Sequence, residues 1–220
     1  MPLHIGLLLF PQVQQLDFTG PYEIFATLPD TKVHLVCKEV VPVISATGLI
    51  FTPDMAMADC PQLDVLCIPG GAGVNALLKD EEVLAFIRQQ AVAAKYVTSV
   101  CTGALVLGAA GLLQGRRATT HWASHHFLAR YGAIPVRERV VRDGNLFTGG
   151  GVTAGIDFAL TLAAELCGRD AAEAVQLALE YAPAPPFDAG TPETAPPQVL
   201  AAVRAGLAAT LAKRQALMPA

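Results

Sequence analysis

From Tyr96 to Gly115 the chain carries no charged side chain, and the run changes character halfway. It opens on the β-forming "YVTSV" and continues as the small, helix-forming "TGALVLGAAGLL", with Cys101 at the join. An uncharged stretch of this length raises a membrane span. Gly103, Gly108 and Gly111 dilute it, however, and Thr98, Ser99 and Thr102 punctuate it. Lipid demands one continuous helix, whereas this run reads as a strand followed by a helix. A strand with no polar face is buried on both sides, as in a parallel sheet covered by helices.

The rest of the chain repeats that alternation. "LHIGLLLF", "KVHLVCKE", "LDVLCIPGG" and "YVTSV" read as strands, and "RRATT" as a short one. "FTGPYEIFATL" reads as a short helix with Pro21 near its start, where a missing N–H costs nothing. "DEEVLAFIRQQAVAA" is helical: Asp80 caps it, acids fill its first turn, and Val83, Leu84, Ile87 and Ala91 share one face. "HWASHHFLARYG" reads as a helix stopped by Gly132. Hairpins are expected around Thr47-Gly48 and on Asp143-Gly144-Asn145. Two helices follow the glycine run Gly149-Gly150-Gly151, the first starting at Val152 or Thr153. A Pro-rich arm over 182–197 leads to a last helix over 198–217. The order predicts one α/β domain over 1–220, with a mostly parallel central sheet and helices on both faces.

Hydrophobic residues at 53% and charged residues at 15% exclude disorder. The net charge is −4, and the densest basic groups, Arg116-Arg117 and Arg137/Arg139/Arg142, are broken by other residues; no nucleic-acid footprint results. The opening "MPLHIGLLLFP" has no basic start or cleavage site, and its apolar run is strand-length, so no membrane partner is expected. Five cysteines, an odd number without CxxC or CxxH spacing, argue against a disulfide scaffold and a metal site. The expected location is the cytoplasm, with its reducing conditions.

Ligand sites in parallel sheets lie beyond the carboxyl ends of the strands. Three features fall there. Cys101 follows a strand and opens a helix, the geometry of a nucleophile elbow. The free N–H groups and dipole of that helix are expected to favour thiolate over thiol. The "PGG" at 69–71 lets backbone approach a ligand, and its N–H groups with that of Thr102 suit an anion-stabilising pocket. Asp17, in "LDFTGP", is either a helix cap or a carboxylate leaning over the thiol. Cys37 and Cys67 lie inside strands and read as core residues. His121 reads as a cap, leaving a Cys–Asp pair and no Cys–His pair, which argues against peptide hydrolysis.

The motifs "LDFTGP", "CIPGG", "SVCTGALVLGAAGLLQGRRATTHW" and "DGNLFTGGGVTAGIDFAL", in this order, resemble the DJ-1/PfpI superfamily. Its fold is the class I glutamine amidotransferase-like, flavodoxin-like sandwich. Within it, "CTG" in place of "CHG", an aspartate in the acid loop and "YAPAPPF" before a last helix are similar to the isocyanide hydratases. That resemblance implies addition of water to a small-molecule isocyanide, giving an N-substituted formamide without cofactor or metal. It implies that Cys101 forms a thioimidate and Asp17 carries the proton. Thr102 would hold substrate or water, with the Gly71 N–H as a further donor. It also implies a homodimer with the first helix near the shared surface. The same residues fit two rivals, a non-enzymatic redox or ligand sensor and a protease- or deglycase-like member. AraC-type regulators carry a similar domain, but follow it with a helix-turn-helix module not seen after this one. The glycine run 149–151 either passes close to the Cys101 elbow or is a flexible hairpin exit far from it.

Overall fold

The computed structural model describes residues 2–219. Strands β1 (Leu3–Leu8), β2 (Thr31–Cys37), β3 (Val43–Ile44), β4 (Ile50–Phe51), β5 (Met55–Ala56) and β6 (Val65–Ile68) occupy the first third, with helix α1 (Gln15–Ala26) after β1. Helices α2 (Val74–Leu77) and α3 (Glu81–Ala91) precede β7 (Tyr96–Val100) and α4 (Gly103–Ala109). Then come β8 (Arg117–Ala118), a 3-10 segment (Trp122–Tyr131), β9 (Ile134–Pro135), β10 (Val140–Asp143) and β11 (Leu146–Gly149). Helices α5 (Ala154–Cys167), α6 (Arg169–Ala178) and α7 (Pro197–Leu217) close the described chain.

The main sheet runs β10-β11-β7-β6-β1-β2-β5. Every neighbouring pair is parallel except β10–β11, the hairpin turning on Gly144-Asn145. The central strands earn their places by apolarity: all four residues of β6 and of β11 are buried. Val65 pairs with Tyr96 and Ile68 with Ser99, so β6 and β7 end level. That register brings the turn after Ile68 beside the turn after Val100. α1 packs on α5 and α5 on α6, while α4 packs on α2, α3 and the 3-10 segment. These two groups of helices cover the sheet, and Phe18, Phe25, Phe127, Phe147 and Phe158 are fully buried within the core.

Three sequence expectations shift. α1 starts at Gln15, so Pro21 lies inside it and Asp17 sits in its first turn, where a carboxylate suits the dipole. Gln14 is the cap, and its N–H donates to the Gly70 carbonyl at 2.8 Å, so a tertiary bond and not a side chain starts the helix. The segment after His121 winds as 3-10 up to Gly132. Its polar groups bond to neighbouring elements: Ser124 Oγ accepts from Arg214 and the His125 ring bonds the Val136 carbonyl. α5 begins at Ala154, one residue beyond the expected start. The short edge strand β5, parallel to β2, had no periodicity to announce it.

Candidate active site

Cys101 is the residue between β7 and α4, and its backbone lies in the left-handed region at φ 54°. An L-residue held there costs about 1–2 kcal/mol, and such strain persists only where the surroundings over-determine it. Here they do. The Cys101 N–H donates to the Gly149 carbonyl at 3.0 Å, and the Thr120 hydroxyl donates to the Cys101 carbonyl at 2.7 Å. A Cβ on Gly103 would collide with the Ile68 carbonyl, so α4 can start against β6 only with glycine there.

Asp17 arrives from α1 and is fully buried. Its Oδ2 accepts the Gly70 N–H at 2.8 Å. Its Oδ1 is buried without a hydrogen-bond partner, and the carboxyl interacts with the Cys101 thiol. Burial raises the Asp17 carboxyl from 3.8 to about 7, against the lowering effect of the Gly70 N–H and of the thiol. The carboxyl therefore titrates near neutrality, which suits a group that must both take and give a proton. The Asp17 side chain caps no helix; it meets the Gly70 N–H and the Cys101 thiol.

Thr102 meets Cys101 through its backbone N–H and its side chain, both of which favour the thiolate. Its Oγ1 accepts the Gly71 N–H at 3.1 Å. The Gly71 N–H is thus directed at Thr102, a different arrangement from the expected free donor, and Gly70 is the glycine whose N–H holds the acid. Gly70 has no room for a side chain: a Cβ would lie 2.6 Å from both Thr102 N and Oγ1 and 2.8 Å from Asp17 Oδ2. The sequence pointed to the glycine pair but not to this division between its members.

Burial works against the thiolate that the helix start was expected to favour. Burial, then the neighbouring charge of Asp17, pushes the Cys101 thiol well above its ordinary range. The Asp17 carboxyl is the proton acceptor beside the thiol. No histidine takes that acceptor's place: His121 Nδ1 accepts the Ala123 N–H, as a cap, and His125 bonds the Val136 carbonyl. Cys37 and Cys67 are buried in strands, and burial lifts Cys67 to about 12.

The glycine run touches the elbow at one point, through the Gly149 carbonyl. None of the three has a positive φ, and a Cβ on Gly150 would meet the Arg139 and Glu138 carbonyls at 3.5 Å, ordinary contact. Close packing therefore does not dictate Gly150. Among the described residues, no group of acids, cysteines and histidines is arranged to hold a metal, and no helix is long and apolar enough to cross a membrane.

Residues 4–165 match the DJ-1/PfpI family model. The chain belongs to the DJ-1/PfpI family. This DJ-1/PfpI chain is 67% identical over 214 residues to the isonitrile hydratase of Pseudomonas putida, covering 97% of this chain and 94% of that one. It is 33% identical over 146 residues to the HTH-type transcriptional regulator GbdR of Pseudomonas aeruginosa, across 64% of this chain and 39% of the regulator. Among solved structures, a ThiJ/PfpI family protein from Pseudomonas syringae superposes with a TM-score of 0.96 at 45% identity, over 99% and 90% of the two chains. DJ-1beta of Drosophila melanogaster shares the fold, with a TM-score of 0.76 at 24% identity, over 83% and 100%.

Proposed function

We propose that this protein is an isonitrile (isocyanide) hydratase that adds water to R–N≡C to give R–NH–CHO. The observation that carries the reading is the acid–thiol pair, in which a buried carboxyl titrating near 7 faces a buried elbow cysteine. The 67% identity with the Pseudomonas putida isonitrile hydratase over nearly the whole chain supports it.

In the first step Asp17 takes the Cys101 proton as sulfur bonds to the terminal isocyanide carbon, and the carboxyl returns that proton to the same carbon. The product is a thioimidate, Cys101 S–CH=N–R. In the second step the Asp17 carboxylate takes a proton from water as its oxygen adds to that carbon, and the nitrogen is protonated. Collapse of the adduct breaks the C–S bond, releases the formamide and returns a proton to sulfur. One acid serves both steps because its pKa lies between the roles of acid and base. Thr102 steadies sulfur during the exchange through its N–H and hydroxyl. A buried thiol is a poor oxidation sensor, since oxidants act on exposed thiolates; this favours the enzyme over the sensor.

The reading takes 1–220 as one domain that works in the cytoplasm as a homodimer. Leu16 and Leu179, exposed beside the shallow cleft between α1 and α5, support a partner surface there. Sedimentation would report the oligomeric state. Product analysis with a small alkyl or aryl isocyanide tests the activity: formamide should form far above the rate without protein, and its failure to do so sinks the proposal.

A further inference from the structure

We propose that Arg214, near the end of α7, is a positioning residue for the reaction centre: it anchors the Gly71 peptide and supplies the positive charge that the Cys101 thiolate needs while it exists. The inference rests on the hydratase reading for its kinetic part only.

Arg214 is an unusual residue to find inside this protein. It is 3% exposed, although it lies on a helix whose other residues are mostly exposed or half-buried. A buried charge ordinarily has a counter-charge, because desolvating an ion costs several kcal/mol. Among the described residues no carboxylate forms an ion pair with it; the arginines at 88, 116, 117, 137, 139, 142 and 169 all have one. Its partners are neutral. Nε donates to Asn75 Oδ1 at 2.8 Å, one terminal nitrogen to Ser124 Oγ at 2.7 Å, and the other to the Gly71 carbonyl at 3.4 Å.

Those three bonds lead to the site. Gly71 is the residue whose N–H is aimed at Thr102 Oγ1, and Thr102 is the residue that steadies the Cys101 sulfur. Gly71 sits at φ 137°, bridged to Val13, so the orientation of its peptide depends on what holds each end. Arg214 holds the carbonyl end from the opposite side of the chain. Asn75, on the short α2, and Ser124, in the 3-10 segment, fix the guanidinium in turn.

The charge points the same way. Burial lowers the Arg214 guanidinium from its ordinary range, and the ionisable groups that support its charged form are the Cys101 thiol and the Tyr131 hydroxyl. His121 lies close enough for the guanidinium to disfavour its protonation. The charged group acting on Cys101 is Asp17, whose negative charge also reaches Cys67. A thiolate formed during attack therefore meets one like charge, Asp17, which becomes neutral as it accepts the proton. The cation whose charge is favoured by a negative Cys101 is Arg214, which reaches the site through the Gly71 carbonyl. The counter-charge missing from the resting structure is the one that appears during turnover.

The test compares Arg214→Met, Arg214→Lys and the parent. The first readout is the pH dependence of Cys101 alkylation by iodoacetamide, followed by mass spectrometry on the Cys101 peptide; it needs no isocyanide and stands if the hydratase reading fails. Removing the charge should move the reactive limb to higher pH by about one unit, the lower end of what an opposite charge at close range supplies. Lysine should return the limb most of the way while failing to make all three bonds. Where isocyanide is turned over, Arg214→Met should lower kcat about tenfold or more with little change in KM. A purely structural role would lower the melting temperature and leave the alkylation profile in place. If methionine drops the melting temperature below that of the assay, Arg214→Gln removes the charge but keeps a polar head for Asn75 and Ser124. A folded neutral variant whose alkylation profile superimposes on the parent's overturns the proposal.

Discussion

Replacing Asp17 with asparagine should make the protein more stable and inactive at once. The amide keeps the shape of the carboxyl and an oxygen for the Gly70 N–H, but it has no proton to release. Each pKa unit corresponds to about 1.4 kcal/mol. A carboxyl displaced from 3.8 to about 7 by burial therefore withdraws about 4 kcal/mol of folding stability once it is ionised. The direction follows from the raised folded value. The folded protein holds this proton more tightly than the unfolded chain, so the stabilisation is complete below about pH 4 and drains away as pH rises to about 7. Asparagine has no such dependence. The stability of the variant relative to the parent should thus grow through that window and level off above it. For a chain of this size, about 2–4 °C per kcal/mol gives a widening of roughly 10 °C in the difference of melting temperatures. Thermal melts of both proteins at pH 4.5, 5.5, 6.5 and 8 measure it, and groups common to both cancel. Parallel melting curves, with a gap independent of pH, would refute the claim that this carboxyl is desolvated and unpaired. An asparagine variant with near-parental turnover would refute its part in proton transfer.

Cys101→Ser should keep the fold and lose turnover by several orders of magnitude, because a hydroxyl is far harder to deprotonate beside Asp17; conservative changes at Cys37, Cys60, Cys67 or Cys167 should alter melting alone. Gly70→Ala should abolish activity, since its methyl would lie between Thr102 and Asp17, and kinetics on the folded variant check this. Gly150→Ala should melt within a few degrees of the parent, as its Cβ meets only ordinary contacts. Gly150→Thr, compared by melting and pre-steady-state kinetics, separates a coupled role from a plain turn: unaltered thioimidate formation and breakdown would leave the run as a turn.

Much of the sheet and half of the site could be read from the chain because they rest on local pattern. "LHIGLLLF", "LDVLCI" and "YVTSV" are apolar on both faces, and their strands lie at the centre of the sheet. Cys101 was legible because strand, thiol and small helix-formers adjoin in sequence. Asp17 was legible as a candidate, though its depth was not: nothing in "LDFTGP" says that Gly70 closes over it. The burial that opposes the thiolate was hidden for the same reason. A helix start is visible in sequence, whereas desolvation comes from packing, and here it is the larger influence. Arg214 lay beyond reach because its significance depends on contacts with Asn75, Ser124 and Gly71, all far away along the chain. In its own helix it is one basic residue in "AKRQAL".

The central claim is that Cys101 bonds to the isocyanide carbon, and the direct measurement is the mass of the enzyme caught during turnover. Mixing it with excess aryl isocyanide and quenching in acid within milliseconds should give a species heavier by the mass of one isocyanide, carried on the Cys101 peptide and absent from Cys101→Ala. Formamide production by a quenched enzyme that never carries the added mass, together with turnover retained in Cys101→Ala, would contradict the account.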